Sequence, residues 1–123
     1  MEWNFRNGIP IYTQIVDEMT IRIASGSYAP GEKLPSVRDL AMEAGVNPNT
    51  MQRAYAELER RGLVFSERTS GRFVTKEENV LKKLNEELAR VWFEEFATKL
   101  RKIGMDTEEI SGYMENWLKE QAE

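Results

Sequence analysis

The run "LPSVRDLAMEAGVNPNTMQRAYAELERRGLV", Leu34 to Val64, limits the fold more than any other part of the chain. Apolar residues recur at steps of three and four in two blocks, with Gly45 between them. In the first block Val37, Leu40, Ala41 and Ala44 line one face. Ser36 opens it with Asp39 three residues on, a short form of the capping box. Gly45 can take the left-handed conformation that ends a helix. Asn47 is then a favoured N-cap and Pro48 a favoured first helical residue. The second block, 47–61, turns Met51, Ala54, Tyr55 and Leu58 inward, and Gly62 stops it. Two helices joined this tightly must pack across one another.

The flanks complete the layout. Ile11, Ile15, Met19 and the offset Tyr12, Val16, Ile23 predict an amphipathic helix over 11–25, stopped at Ser25-Gly26. Before it, "EWNFRNGIPIY" alternates Trp3 and Phe5 with polar neighbours and turns at Asn7-Gly8, which predicts a short strand or an extended arm. "SYAPGEKLP" reads as a loop around the Pro30-Gly31 turn. "LVFSERTSGRFVTK" alternates on both sides of Ser70-Gly71 and predicts a β-hairpin. From Glu77 a helical pattern runs through Leu81, Leu84, Leu88, Val91, Trp92, Phe96, Leu100 and Ile103. "GMD" breaks it. Asp106 with Glu109 makes a second capping box, and Ile110, Tyr113, Met114, Trp117 and Leu118 form the stripe of a last helix. The fold class is mostly α with one small β-hairpin. The order helix, short helix, turn, helix, hairpin is that of a winged helix-turn-helix, here over residues 1–76, followed by a two-helix module over 77–123.

Composition narrows the chemistry. The 123 residues contain no cysteine and no histidine. Thiolate chemistry, disulfides and the commonest general base and metal ligand are therefore absent, and no metal or cofactor is expected. A cysteine-free chain suits a reducing cytoplasm. The N-terminus lacks the pattern of a signal peptide, and no apolar stretch approaches the roughly 20 residues a membrane helix needs, so no membrane role is expected. The adjacent pairs Glu77-Glu78, Glu86-Glu87 and Glu94-Glu95 point to different sides of a helix and read as solvated faces, not as catalytic dyads. An enzyme is not expected. The net charge of −4 is unevenly spread: residues 1–76 hold 10 Lys+Arg against 9 Asp+Glu, and residues 77–123 hold 7 against 12. The acidity belongs to the C-terminal region.

The outward face of helix 47–61 carries Asn49, Gln52 and Arg53, with Thr50 at the edge. Short amides and a guanidinium at a helix entrance are side chains that hydrogen-bond base edges, and the backbone N–H groups there favour phosphate. Taken alone, such a face can be a capped helix with a solvated side. Three further features set DNA against that reading. Arg38 stands early on the preceding helix, Lys33 lies just upstream, and Arg68 and Arg72 flank the hairpin tip. Basic groups thus fall at three points around one surface.

The segment from Pro10 to Val74 resembles the DNA-binding domain of GntR-family bacterial transcription regulators. The resemblance rests on "GSYAPGEKLPSVRDLA" and "GVNPNTMQRAYAELERRGL" and covers just over half of the chain. The short C-terminal region resembles the YtrA subfamily. The resemblance implies a regulator binding double-stranded DNA as a homodimer, a repressor more than an activator, with genes for membrane transporters as targets. The DNA-contacting set it implies, together with the reading above, is Lys33, Ser36, Arg38, Asn47, Asn49, Thr50, Gln52, Arg53, Arg68, Ser70, Gly71 and Arg72. Many family members have a basic or hydroxyl residue where Pro48 stands. Pro48 offers bases no donor, so its expected role is to set the helix start, leaving readout to Asn49, Gln52 and Arg53.

Residues 77–123 have no room for a large ligand-binding domain. Two helices cannot enclose Trp92, Phe93, Phe96, Tyr113 and Trp117 among themselves, and such a pair needs a partner. A second copy related by two-fold symmetry is the economical one, with Leu88, Trp92, Phe96, Leu100, Ile110, Tyr113, Met114 and Trp117 as its expected interface. The alternatives are aromatics packed back on helix 11–25 in a monomer and, for the whole chain, a winged helix that binds protein instead of DNA. No small-molecule effector is named by these residues.

Overall fold

Local chemistry sets each element in the computed structural model, which describes residues 3–122. Met1, Glu2 and Glu123 lie outside the described residues, and with them the first position of the N-terminal arm and the outermost ends of the two expected domains. Helix α1 spans Ile11–Ser25 and ends where Gly26 takes φ 83°, its N–H donating to the Ile23 carbonyl. Helix α2 spans Val37–Ala44. The Ser36 hydroxyl accepts the Asp39 N–H at 3.1 Å, and Gly45 ends the helix at φ 70°. Helix α3 spans Pro48–Arg60. Its cap is Asn47, whose Oδ1 accepts the Asn49 N–H at 2.7 Å. That bond satisfies one of the donors every helix start leaves open. Asn47→Ala is expected to cost about 1 kcal/mol; urea unfolding checks it, and Asn47→Asp should restore most of the loss.

Strands β1 (Val64–Glu67) and β2 (Gly71–Val74) form an antiparallel hairpin in the register Val64↔Val74 to Glu67↔Gly71. Phe65 and Phe73, directly opposite, stack at 5.6 Å. A third segment joins this sheet. Gly31 donates to the Val74 carbonyl, Val74 to Glu32 and Leu34 to Arg72, all at 2.8–2.9 Å, with Lys33 bridged to Phe73. The expected loop over 27–35 is a loop, and its 31–34 stretch also hydrogen-bonds along the edge of β2. Its Gly and Pro residues hid the pairing, because the partner lies about forty residues away in sequence.

Residues 3–6 form no strand. Trp3 and Phe5 stack at 5.8 Å and pack on the edge of the core. The Gln14 side chain satisfies the following turn, accepting from Arg6 N–H and donating to the Arg6 and Ile9 carbonyls. The arm therefore needs no partner strand. Under Trp3 lies Arg22, buried to 3 % exposure, its guanidinium 4.3 Å from the ring and paired with Glu18.

Helix α4 spans Glu78–Lys102 and α5 spans Thr107–Gln121. The expected capping box of Asp106 and Glu109 closes in both directions. Packing divides the chain into Met1–Leu84 and Asn85–Glu123, inside α4. The order of elements in the sequence puts the division at 76/77. The later boundary has a plain cause: Val80, Leu81 and Leu84 pack on the N-terminal core. That core joins Ile15, Met19 and Ile23 of α1, Leu40 of α2, Met51, Ala54, Tyr55 and Leu58 of α3, and Val64 and Val74 of the hairpin.

Candidate nucleic-acid interface

Helix α3 separates its faces as its 3.6-residue period requires. Met51, Ala54, Tyr55 and Leu58 have 1 % exposure or less. Asn49, Gln52 and Arg53 are exposed, and Thr50 is half-buried at the margin. The buried stripe docks α3 against α1 and α2, so the polar stripe must face solvent at the helix start. Tyr55 ties this helix to the segment before α2, its hydroxyl donating to the Pro35 carbonyl at 2.7 Å. Burial pushes the Tyr55 phenol well above its usual pKa, which keeps it a proton donor.

Arg53 is not a free arm. Its guanidinium lies over the Tyr12 ring of α1 at 4.2 Å from the centroid, a cation–π contact that aims an exposed charge. Arg38 stands exposed in the first turn of α2, with Ser36 exposed beside it as its cap. Lys33 runs past the start of β2: a Cβ on Gly71 would meet Lys33 Cε at 3.1 Å, and Gly71 holds φ +111°. Gly71 is therefore required on both counts, by its backbone angle and by the lysine stem beside it. Arg68 and Ser70 lie exposed in the hairpin turn, which the Ser70 N–H closes on the Glu67 carbonyl.

Charge pairing sorts the cations. Arg60 and Arg61 both bond Glu57 at the far end of α3 and hold its carboxyl at about 2. Lys33, Arg38, Arg53 and Arg68 have no acid partner among the described residues. Cations without an ion pair thus stand at the α3 entrance and on the hairpin turn, whereas the two arginines at the α3 exit are paired.

Arg72 behaves differently from the other sequence-named residues. It is half-buried, with its backbone between β1 and the 31–34 edge. Its side chain turns back onto α3, bonding Gln52 at 3.3 Å and facing Glu59 at 3.4 Å. Three residues in this arrangement escaped the sequence reading: Tyr12, Glu59 and Ser66. Glu59 lies two turns from Gln52 on the same face, a spacing the sequence does show. Ser66 faces Arg72 only through the hairpin register.

Trp92, Phe96, Tyr113 and Trp117 keep 40–63 % of their surface exposed. With Phe93 and Met114 they line a groove of about 620 Å³. Leu88, Leu100 and Met114 are half-buried. Ile110 has only 8 % exposure, so it has little area left to lose to a second copy. Among the described residues no acidic cluster could hold a metal ion, and no helix is long and apolar enough to cross a membrane.

Comparison with known proteins places this geometry. The model of the bacterial regulatory proteins of the gntR family matches residues 11–74, from α1 through β2. The chain is 38% identical over 110 residues to the HTH-type transcriptional regulator YhcF of Bacillus subtilis, covering 89% of this chain and 91% of that one. It is 44% identical over 70 residues to the HTH-type transcriptional repressor YtrA of the same organism, covering 57% and 54%. A GntR family transcriptional regulator from Listeria monocytogenes has the same fold, with a TM-score of 0.85, 37% identity and coverage of 91% and 98%. The AraR DNA-binding domain, solved in complex with operator ORX1, matches 61% of this chain and 96% of its own length with a TM-score of 0.56 and 29% identity. These relatives are regulators, not enzymes, and the residues that the family model matches, 11–74, include every residue of the surface described above. The chain belongs to the GntR family of bacterial regulatory proteins, DNA-binding regulators of transcription.

Proposed function

We propose that the chain is a cytoplasmic repressor that binds an inverted-repeat operator as a homodimer, with the α3 entrance in the major groove and the hairpin beside it. The observation that supports the reading is the exposed Asn49-Gln52-Arg53 face, with three further cations without acid partners, Lys33, Arg38 and Arg68, on the neighbouring segments. Amides and a guanidinium at a helix start suit base edges, and unpaired cations around them suit phosphates. The aromatic groove of α4 and α5 supports the dimer, since a second copy would cover it. Two modules on one scaffold also bind two half-sites at a high effective concentration. Half-sites about 34 Å apart, or a multiple of that, fit the commonest two-fold geometry. The name of the relative YtrA supports repression. Control of transporter genes rests on the subfamily resemblance.

Salt titration of binding to DNA from upstream of the protein's own gene tests this. Three phosphate-seeking cations per protomer, Lys33, Arg38 and Arg68, predict a slope of log K against log salt of roughly −5 for a dimer. Arg38→Ala should weaken binding to operator and random DNA alike and flatten the slope by about 2, one phosphate per protomer. No binding to any fragment at low salt would sink the regulator reading. Unchanged affinity for both DNAs in Arg38→Ala would remove Arg38 from the contact set.

A further inference from the structure

Arg53 differs from the other outward side chains of α3 in what holds it. Its guanidinium lies 4.2 Å from the centroid of the Tyr12 ring and donates no hydrogen bond among the described residues. Glu57 stands four residues further along α3, the spacing at which opposite charges on a helix pair. Glu57 is already engaged, because Arg60 and Arg61 both bond its carboxylate. Among the described residues no acid draws Arg53 toward the α3 exit. Its partner is a ring on α1. That ring does not swing freely, since Tyr12 is half-buried and packs against the core.

The kind of contact matters. A salt bridge would occupy donors of the arginine and offset its charge. A ring face attracts the cation through its quadrupole and does neither. The fork of N–H donors and the charge of Arg53 stay available. The side chain is confined all the same. Ordering a free arginine at the moment of binding lowers affinity by roughly two- to tenfold, and a side chain already held by a ring escapes most of that loss. The fork matches two acceptors lying side by side. Guanine O6 and N7 are such a pair, and so are two oxygens of one phosphate.

We propose that Tyr12 is a positioning residue for DNA binding, its ring presenting the donor edge of Arg53 to a pair of adjacent acceptors on the DNA. The proposal rests on the DNA-binding reading above, and its test separates the two. Affinity of the intact protein for DNA from upstream of its own gene, and for random DNA, is measured for wild type, Tyr12→Phe, Tyr12→Leu, Arg53→Ala and the double variant Tyr12→Leu/Arg53→Ala. Tyr12→Phe keeps the ring and should bind within about twofold of wild type. Tyr12→Leu keeps apolar bulk without a π face and should lose about threefold per protomer, roughly tenfold for a dimer. In the Arg53→Ala background the same change should do nothing further. Fluorine added stepwise to the ring of Tyr12→Phe withdraws electron density from its face with little change of shape, and affinity should fall at each step. A loss shared by random DNA assigns the acceptors to phosphate, and a loss confined to the upstream DNA assigns them to a base edge; either result supports the positioning role. Affinity that stays flat across the fluorine series overturns the proposal, and does so even if Tyr12→Leu fails to fold. So does a Tyr12→Leu loss that persists in full without Arg53, the behaviour of a packing defect. So does a Tyr12→Phe loss as large as that of Tyr12→Leu, the behaviour of a hydroxyl on phosphate. A gain in affinity on losing the ring, the mark of a contact that DNA must break, overturns it too. Wild type that binds no DNA overturns the DNA reading and this proposal together.

Discussion

Trp117→Ala is expected to shift the protein from dimer to monomer in sedimentation. The ring lies on α5 with about half its surface exposed, in a groove shared with Trp92, Phe96 and Tyr113. Large aromatic rings left in water are where interface energy concentrates, and truncating one costs about 2 kcal/mol or more. A two-fold interface contains each residue twice. The loss is then about 4 kcal/mol per dimer, roughly a thousandfold in the dimer dissociation constant. Operator affinity should fall with it, because each half-site must then be bound alone. A variant mass unchanged from the dimer would put the interface elsewhere. A wild-type protein that sediments as a monomer at micromolar concentration would refute the homodimer.

The second large effect is on stability. Tyr55→Ala should destabilise the N-terminal unit by about 3–5 kcal/mol, as truncation of a fully buried aromatic does. The ring has 1 % exposure and sits among the core residues of α3. A loss of that size is a large share of the roughly 5–15 kcal/mol that holds a domain folded. Tyr55→Phe separates the parts. It keeps the ring but leaves the Pro35 carbonyl without its donor, for about 1–2 kcal/mol. Because burial raises the Tyr55 pKa from its usual 10.0, the protonated phenol is favoured in the fold. Its contribution is complete below pH 10 and is lost as the pH rises beyond it. Urea unfolding followed by circular dichroism measures all three, and a Tyr55→Ala variant within 1 kcal/mol of wild type would mean that the site collapses around the gap.

Much of the fold was legible because its determinants are local. The helix stops at Gly26 and Gly45, the Asn47 cap and the Asp106 box depend on neighbours within four residues. The inward faces of α1 and α3 follow from periodicity alone. Two segments have tertiary pairing that their local pattern does not show. Trp3 and Phe5 alternate as either a strand or an extended arm would, and the structure has the arm, whose rings bury area without a strand partner. Residues 31–34 carry the Gly of a loop, yet they pair with β2.

The candidate site divides in the same way. Which side chains stand at the α3 entrance is settled by the cap and the helical period, so Asn49, Gln52 and Arg53 can be named without a structure. Their orientation cannot. Arg53 leans on Tyr12, forty-one residues earlier in the chain, and Gln52 is held by Arg72, twenty residues later. Such contacts exist only once the hairpin has its register and α3 has docked on α1, since a one-residue slip would put Arg72 on the other face of the sheet. The sequence by itself determined where the elements begin and end and which face of α3 is polar, because those depend on bonds a few residues long. Only the tertiary structure decided how the side chains of that face are held, Arg53 against Tyr12 and Gln52 against Arg72, because those contacts join residues far apart in the chain.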